Sequence, residues 1–509
     1  MEVKTYVMTR SIPLHLPVVI SLGIVCQLGQ IVFLRELLMV FHGNELSIGI
    51  IFSAWMIWVG IGSRVGAIVV ERLGRPIYLV FITAAAALCT LPTTILLIRA
   101  LRGFFDVLPG AYLSFLDLSI SCFILMGPVC LLLGVQFVLL ARVWRENDRT
   151  GDTSGAAKTY IGEAVGSAVG GILFTFFLVH HLNSFQSVLL AGMLMVGATL
   201  WLTRETRRDA GPAAARKRLA LTGLLVASGI ALPFFEDVDA WAHRLQWRLF
   251  APEHRLIATH QSKYGAISVV QREDQYSFFQ SGHLVFSTAG PEATTLALEE
   301  QEGVVFAHYS LVQHANPKRI LLIGGGLRGT LREIARHPVE RIDYIELDHV
   351  LTETARPCLS AATLDALDDP RVRLIHTDGR LFVKTSHETY DMIRVDVPDP
   401  ATAVLNRCYT KEFFREAQAR LSPGGVFVTG VTSTADMRST AAANRNATIY
   451  HTLRSVFAQV LPAGGRSLYF FAADVPGQFH ADAETLRARY LERNIEAEGF
   501  SHWHYDILL

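Results

Sequence analysis

Arg319 to Asp348 reads RILLIGGGLRGTLREIARHPVERIDYIELD, and this stretch decides the fold. An apolar run, Ile320 to Ile323, meets Gly324, Gly325 and Gly326, and a helical pattern follows from Thr330 to His337. The order is strand, tight turn, helix. Glycine lets the backbone take positive φ and come close to a ligand, while free amides at a helix start favour anionic or hydroxyl-rich groups. A second apolar strand (Ile342, Tyr344, Ile345) ends at Glu346, at the spacing where a carboxylate takes both ribose hydroxyls. Glycine loop and spaced acid together predict a Rossmann-like α/β domain with a nucleoside held over Gly324, Gly325, Gly326, Leu327 and Glu346.

Later strands also end in acids. Arg371 to Ile375 leads into His376, Thr377, Asp378 and Gly379, which puts Asp378 at the carboxyl end of a third strand, where an acid commonly meets the adenine amino group. Tyr390 to Val395 leads into Asp396, Val397, Pro398, Asp399 and Pro400. Two carboxylates on a proline-stiffened loop can hold an amine and take its proton as it becomes a nucleophile. Each acid can instead cap the next turn. Leu421 to Gly430 (LSPGGVFVTG) reads as a helix end, a Pro-Gly-Gly turn and a late hairpin or edge strand. His308, His314 and His376 read as packed or exposed rather than catalytic, and no chemistry is assigned to the tail after Pro476.

Towards the N-terminus the composition changes. Hydrophobic residues make up 51% of the 509 and charged residues only 18%, with mean hydropathy +0.32, and the apolar excess lies before Phe235. Seven stretches are apolar enough to span a bilayer: Leu14–Leu34, Leu46–Val70, Ile77–Ile98, Leu118–Leu140, Tyr160–Val179, Phe185–Leu202 and, weakest, Leu219–Phe235. No cleavage site follows the first, which reads as a retained helix. Basic residues gather before the first span (Lys4, Arg10) and after the second (Arg72, Arg75), fourth (Arg142, Arg145, Arg149, Lys158) and sixth (Arg204 to Arg218). The positive-inside rule then places the N-terminus in the cytoplasm. Seven crossings put the soluble half outside; a re-entrant seventh span returns it to the cytoplasm, where a nucleoside cosubstrate is made.

Gln27, Gln30, Arg35, Glu36, Arg64, Gln136 and Glu163 lie in or beside these spans, where polar groups are costly and a functional role is the default. Arg35 and Glu36 as snorkelling end residues, and an Arg64–Glu163 ion pair, are the structural alternatives. Gly162, Gly166 and Gly170 make a small-residue face for close helix packing. Val238, Trp241, Ala242, Leu245 and Leu249 share one face of an amphipathic helix, suited to a membrane surface or to a plain linker. His260 to Ser287 alternates as a small antiparallel β unit, with turns at Asp274–Gln275 and Ser281–Gly282, and Glu292 to Gln313 is helical. Equal numbers of basic and acidic residues, 46 each, give no signal for nucleic acid. The six cysteines lack metal-site or disulfide spacing.

Over roughly His260 to Phe471 the chain resembles the spermidine synthase family of aminopropyltransferases. The resemblance lies in SKYG (Ser262–Gly265), the triple glycine followed by LREIARHP, IELD, DDPRVRLIHTDGR, YDMIRVDVPDP, YTKEFF and LSPGG. With its apolar half, the chain is similar to membrane-bound, spermidine synthase-like bacterial proteins. The resemblance implies Glu346 on the ribose, Asp378 on the adenine amino group, Asp396 as the base that deprotonates the amine, and Asp399 holding that amine. It implies decarboxylated S-adenosylmethionine as donor, methylthioadenosine as product and no metal. Departures fall at the aminopropyl end. The acid that follows the triple glycine in the family is Leu327 here, with Arg328 beside it. Gly265 stands where glutamine is expected after SKY, QSG (Gln280–Gly282) replaces LDG, and the tyrosine motif expected near Glu302–Val304 is absent.

The expected architecture is a multi-pass α-helical membrane domain fused to an α/β Rossmann-like, S-adenosylmethionine-dependent transferase-type domain with a small N-terminal β unit. Its divisions are 1–235 transmembrane, 236–259 amphipathic linker, 260–315 β unit and helix, 316–480 Rossmann-like domain and 481–509 tail. The expected activity is aminopropyl transfer to a small or membrane-presented amine at the bacterial inner membrane. Methyl transfer from intact S-adenosylmethionine, or nucleoside binding without turnover by a sensor or transporter, are the alternatives. The lipid bilayer is a partner, and a homo-oligomer is left open.

Overall fold

The computed structural model describes residues 15–41, 45–73, 76–105, 114–147, 155–202, 212–293, 295–432, 439–464, 467–475, 477–479 and 482–508. Much of the charge bias invoked above (Lys4, Arg10, Arg75, Arg149, Arg204, Arg207, Arg208) and the loop 42–44 lie outside these residues. Contacts divide the chain into two units, Met1–Pro252 and Glu253–Leu509.

In the first unit, seven helices among the described residues are long and apolar enough to cross a membrane. They are built on Leu16–Phe41, Glu45–Leu73, Pro76–Ala100, Phe115–Asn147, Gly155–Leu173, Ser184–Leu202 and Pro212–Ala231. Two pairs meet backbone to backbone. A Cβ on Gly166 would lie 2.1 Å from the carbonyl oxygen of Ile20, and one on Gly62 would lie 2.3 Å from that of Leu131, so only glycine permits either approach. The first helix is thereby joined to the fifth and the second to the fourth. Gly162, Gly166 and Gly170 are all buried in the first of these seams.

Lys217, early in the seventh helix, lies over the Tyr78 ring near the start of the third. At the other end, Gln186 reaches the carbonyl of Leu232 and Asn183 that of Phe235. The seventh helix therefore runs the length of the bundle and does not turn back. Beyond it, helix Phe235–Phe250 is fastened to the same end by charge. Arg99, only 2% exposed, donates to both oxygens of Glu36 at 2.8 and 2.9 Å and to Asp239 at 2.8 Å. Glu36 is thus a buried ion-pair partner and not a snorkelling end residue. Anchoring through Asp239 turns Ala242, His243 and Trp247 inward, while Trp241 and Leu249, read as part of the apolar face, are half exposed. The Arg64–Glu163 ion pair is not formed: Arg64 is exposed, and Glu163 instead accepts the Ser167 hydroxyl at 2.9 Å.

The second unit opens with an antiparallel sheet, β1 (Arg255–Ser262), β2 (Gly265–Arg272), β3 (Gln275–Gln280) and β4 (His283–Ala289). β1 starts before His260, and its faces do not alternate cleanly between buried and exposed, so the sequence carries little period-two signal there. Helix Leu298–Gln313 leads into β5 (Arg319–Ile323), β6 (Arg341–Glu346), β7 (Val372–His376), β8 (Tyr390–Val395), β9 (Leu421–Thr432), β10 (Gln459–Gly464) and β11 (Ser467–Ala473). These form one seven-stranded sheet in the order β7-β6-β5-β8-β9-β11-β10, parallel from β7 to β9, with β11 antiparallel to both neighbours. This is the Rossmann-like arrangement expected. β9 is interior and not a hairpin or edge strand, and its continuous buried run Gly425–Thr429 reflects coverage on both faces.

The tail, given no role above, closes the core. Leu486, Tyr490, Phe500 and Tyr505 are buried in the same cluster as Ile320 and Leu322. Arg493 adds a polar relay. A guanidinium only donates, so His337 Nδ1 must accept from Arg493 (3.1 Å), leaving its Nε2 proton for His308 Nδ1 (2.9 Å). The remaining His308 proton then points at Glu333 (3.1 Å). Burial pushes both histidines below their ordinary range, His337 far below. Burial pushes Glu333 up, but His308, Arg332 and Arg336 outweigh it and hold its carboxyl low. Depressed histidines stay neutral when folded and bind protons when unfolded, so their stabilisation is present above pH ~6.5 and lost as pH falls. Melting of the full chain should lose on the order of 1 kcal/mol per histidine for each pH unit below 6.5. His337→Gln should flatten that slope, and a parent melt insensitive to pH between 7.5 and 5.5 contradicts the relay.

Candidate active site

Sheet register lines up the critical strand ends. Ile323 of β5 pairs with Ile345 of β6 and with Val395 of β8, so the next residues, Gly324, Glu346 and Asp396, stand in one row. The row is held by amide bonds from Gly324 to the Ile345 carbonyl (2.9 Å) and from Asp396 to the Ile323 carbonyl (2.8 Å). A cleft of ≈ 260 Å³ opens over it, lined by Gly324, Gly325, Leu327, Glu346, Asp396 and Asp399 among others. Both predicted catalytic acids and most of the predicted nucleoside residues therefore face one space.

Gly324 and Gly325 take φ of +71° and +69°. A Cβ on Gly325 would lie 2.2 Å from the Asp396 carboxylate, so the turn and the acid occupy their places only because this residue is glycine. Gly326 does not line the cleft; it is buried against the Tyr344 ring. Tyr344 donates to one Glu346 oxygen at 2.8 Å and the Leu347 amide to the other at 2.9 Å. Burial raises the Glu346 carboxyl against those bonds. The Asp348 amide is a third donor to this carboxylate, which still retains acceptor capacity for a further hydroxyl.

Asp378 and Gly379 stand apart from the cleft lining. The β7 residue in register with Glu346 is His376, so Asp378 falls two residues beyond the row. There it caps helix Gly379–Thr385 by accepting from the Leu381 amide at 3.0 Å, and it pairs with Arg407. Gly379 packs against Ile323. The capping alternative describes the position of Asp378.

The two acids at the heart of the cleft already have partners. Asp396, half-buried with its carboxylate turned inward, pairs with Arg328 and Arg394 and accepts from Thr330. Arg394 is fully buried, its guanidinium 3.7 Å from the centre of the Phe306 ring, on which Tyr469 also stacks. Burial, then the nearby Arg328, push Arg394 well down, and Tyr469 opposes that shift. Asp399 accepts from the Thr432 amide at 2.8 Å and pairs with Arg445. Leu327, 2% exposed, fills the place beside them with an apolar wall.

A spermine/spermidine synthase domain model matches residues 300–471. A polyamine aminopropyltransferase of Pectobacterium carotovorum subsp. carotovorum is 31% identical over 202 residues, which are 39% of this chain and 70% of that one. The chain belongs to the spermidine synthase family of polyamine aminopropyltransferases. A polyamine aminopropyltransferase of Leptospira interrogans is 26% identical over 335 residues, and the match spans 64% of each chain, just under two thirds of that relative's length. The crystal structure of spermidine synthase from Thermotoga maritima matches at 25% identity and TM-score 0.41, over 50% of this chain and 84% of that one.

Family reasoning overlooked several residues at this site. Asp348 lines the cleft while accepting from Ser262 at 2.6 Å and Gln280 at 2.8 Å, so the altered QSG motif is tied to the IELD motif. That link was open to inference from the two motifs together. So was Arg394, which stands two residues before Asp396 and therefore shares its face of the strand; Arg445 was not, because it sits in a polar helix that only the packed fold brings to Asp399.

Proposed function

We propose that this chain is a membrane-embedded transferase that moves an aminopropyl group from decarboxylated S-adenosylmethionine to an amine. The observation that carries the reading is the convergence of the Gly324–Gly325 turn, Glu346, Asp396 and Asp399 on one cleft. The donor supplies a sulfonium leaving group. The chain's residues do the rest: Glu346 holds the ribose, Asp399 orients the amine, and Asp396 takes its proton as nitrogen attacks the carbon beside sulfur. Each acid must exchange an arginine for the amine to do so. The test is product identity. Purified protein is incubated with either form of the donor and a panel of amines. Methylthioadenosine supports aminopropyl transfer, and binding without product removes both enzyme readings.

Arg328 favours a second reading, in which the donor is intact S-adenosylmethionine and the methyl group moves. Where the family resemblance leads one to expect an acid for the donor's amine, this chain presents an apolar wall and a guanidinium suited to the methionine carboxylate. S-adenosylhomocysteine would be the product. Under this reading Arg328→Ala raises the KM for intact donor by roughly tenfold or more, the worth of a charge-assisted hydrogen bond, and leaves the decarboxylated donor unaffected. Equal effects on both donors would remove the carboxylate assignment.

The seven apolar helices support embedding in the bacterial inner membrane, with the N-terminus cytoplasmic by loop charge. Helix Phe235–Phe250 is docked at the bundle end opposite the basic loops, which favours an external C-terminal unit. A reporter fused after Leu509 tests this, and activity of cytoplasmic reporters alone overturns it.

A further inference from the structure

Between the two glycine-joined helix pairs of the first unit lies a cavity of ≈ 300 Å³, lined by Gln27, Gln30, Ser63, Tyr160, Glu163 and Ser167 together with the rings of Trp55 and Phe137. These side chains come from the first, second, fourth and fifth helices. At 1.5 Å per residue Gln27, Gln30, Ser63, Phe137, Glu163 and Ser167 sit roughly 12 to 21 Å along their helices from the ends that carry the basic loops, with Tyr160 nearer those ends and Trp55 farther from them. In a hydrocarbon layer about 30 Å thick, that range is mid-depth.

The charge inventory of this cavity is one-sided. Glu163 is its acid, and no arginine, lysine or histidine among the described residues forms an ion pair with it. Ser167 satisfies one carboxylate oxygen at 2.9 Å while itself lying 3.2 Å from the Gly23 carbonyl. A purely structural clasp between the first and fifth helices accounts for that oxygen and gives the second one no hydrogen-bond partner among the described residues. It also leaves the amides of Gln27 and Gln30, which have no hydrogen-bond partner among the described residues, without a purpose. Polar groups cost too much at this depth to be gathered around an empty space. A carboxylate, two amide oxygens and aromatic faces are the acceptor set for a cation carrying N–H groups, and the volume suits a slender chain.

We propose that this cavity binds a protonated primary amine, with Glu163 as counter-ion, Gln27 and Gln30 as hydrogen-bond acceptors and Trp55, Phe137 and Tyr160 as aromatic walls. The proposal rests on the membrane-spanning reading of the helical unit and is independent of the transfer chemistry. Two sources share the chemistry: a free alkyl diamine and the ethanolamine headgroup of a lipid.

Labelled 1,4-diaminobutane is titrated onto the full chain in phosphatidylcholine nanodiscs, using Asp396→Asn/Asp399→Asn protein so that the C-terminal cleft does not contribute. Glu163→Gln, added to that background, should weaken binding by about tenfold or more, the worth of one charge-assisted pair. Gln27→Leu leaves the Glu163–Ser167 bond in place and should weaken it severalfold, which separates loss of the site from loss of the fold. Displacement of the diamine when phosphatidylethanolamine replaces phosphatidylcholine identifies the headgroup as occupant, and undiminished binding identifies the free amine. Absence of binding, or equal affinity in the parent background, the Glu163→Gln protein and the Gln27→Leu protein, overturns the proposal.

Discussion

Asp396→Asn is expected to lower turnover by roughly 10²- to 10⁴-fold, the usual worth of a positioned base, while methylthioadenosine binding stays within about threefold of the parent. It also carries a structural penalty. Asp396 balances Arg394, which is buried completely and has no water to fall back on. Removing one member of such a pair costs about 3–5 kcal/mol because the other charge is stranded. The two effects separate in Arg394→Met/Asp396→Asn, where an apolar side chain of similar volume replaces the stranded cation. Melting of the double variant should return towards the parent while turnover stays lost. If turnover returns with stability, Asp396 acts by positioning neighbours and not as the base.

Gly325→Ala should abolish nucleoside binding and destabilise the chain. Left-handed backbone costs an alanine about 1–2 kcal/mol, and the added methyl would sit 2.2 Å from an Asp396 oxygen and 2.3 Å from its carboxyl carbon. The carboxylate must move, which breaks the Arg394 pair as well. Gly424→Ala is the control: its φ of +78° imposes similar strain, but the nearest atom to the new methyl is the Gln478 side-chain oxygen at 3.9 Å. The control should lose stability alone. Equal binding by both variants would show that Gly325 serves the turn and not the site.

The parts of this molecule legible in the sequence are those written locally. Gly324, Glu346, Asp396 and Asp399 could be placed because each follows an apolar strand run, and parallel strands deliver their carboxyl ends to one edge. Asp378 obeys the same local rule, yet its place in the sheet depends on a register two residues longer and on a helix that begins at Gly379. Arg394 looked like one polar interruption in a strand, and its burial is defined by Phe306 and Thr330 from two other segments together with Asp396 two residues on. The tail looked inert because its partners, His308 and His337, lie far back along the chain. In the helical unit, hydropathy located the helices, but nothing local could pair Glu36 with Arg99 or leave Glu163 without Arg64.

The two glycine seams also set an order of manufacture. Their partners are nested like brackets, second with fourth inside first with fifth. A chain made from its N-terminus can join the inner pair once the fourth helix has emerged. The first helix must then wait, its Gly23 face uncovered, until Gly166 arrives. Synthesis halted between those points leaves an open bracket, a first helix whose glycine face still lacks its partner.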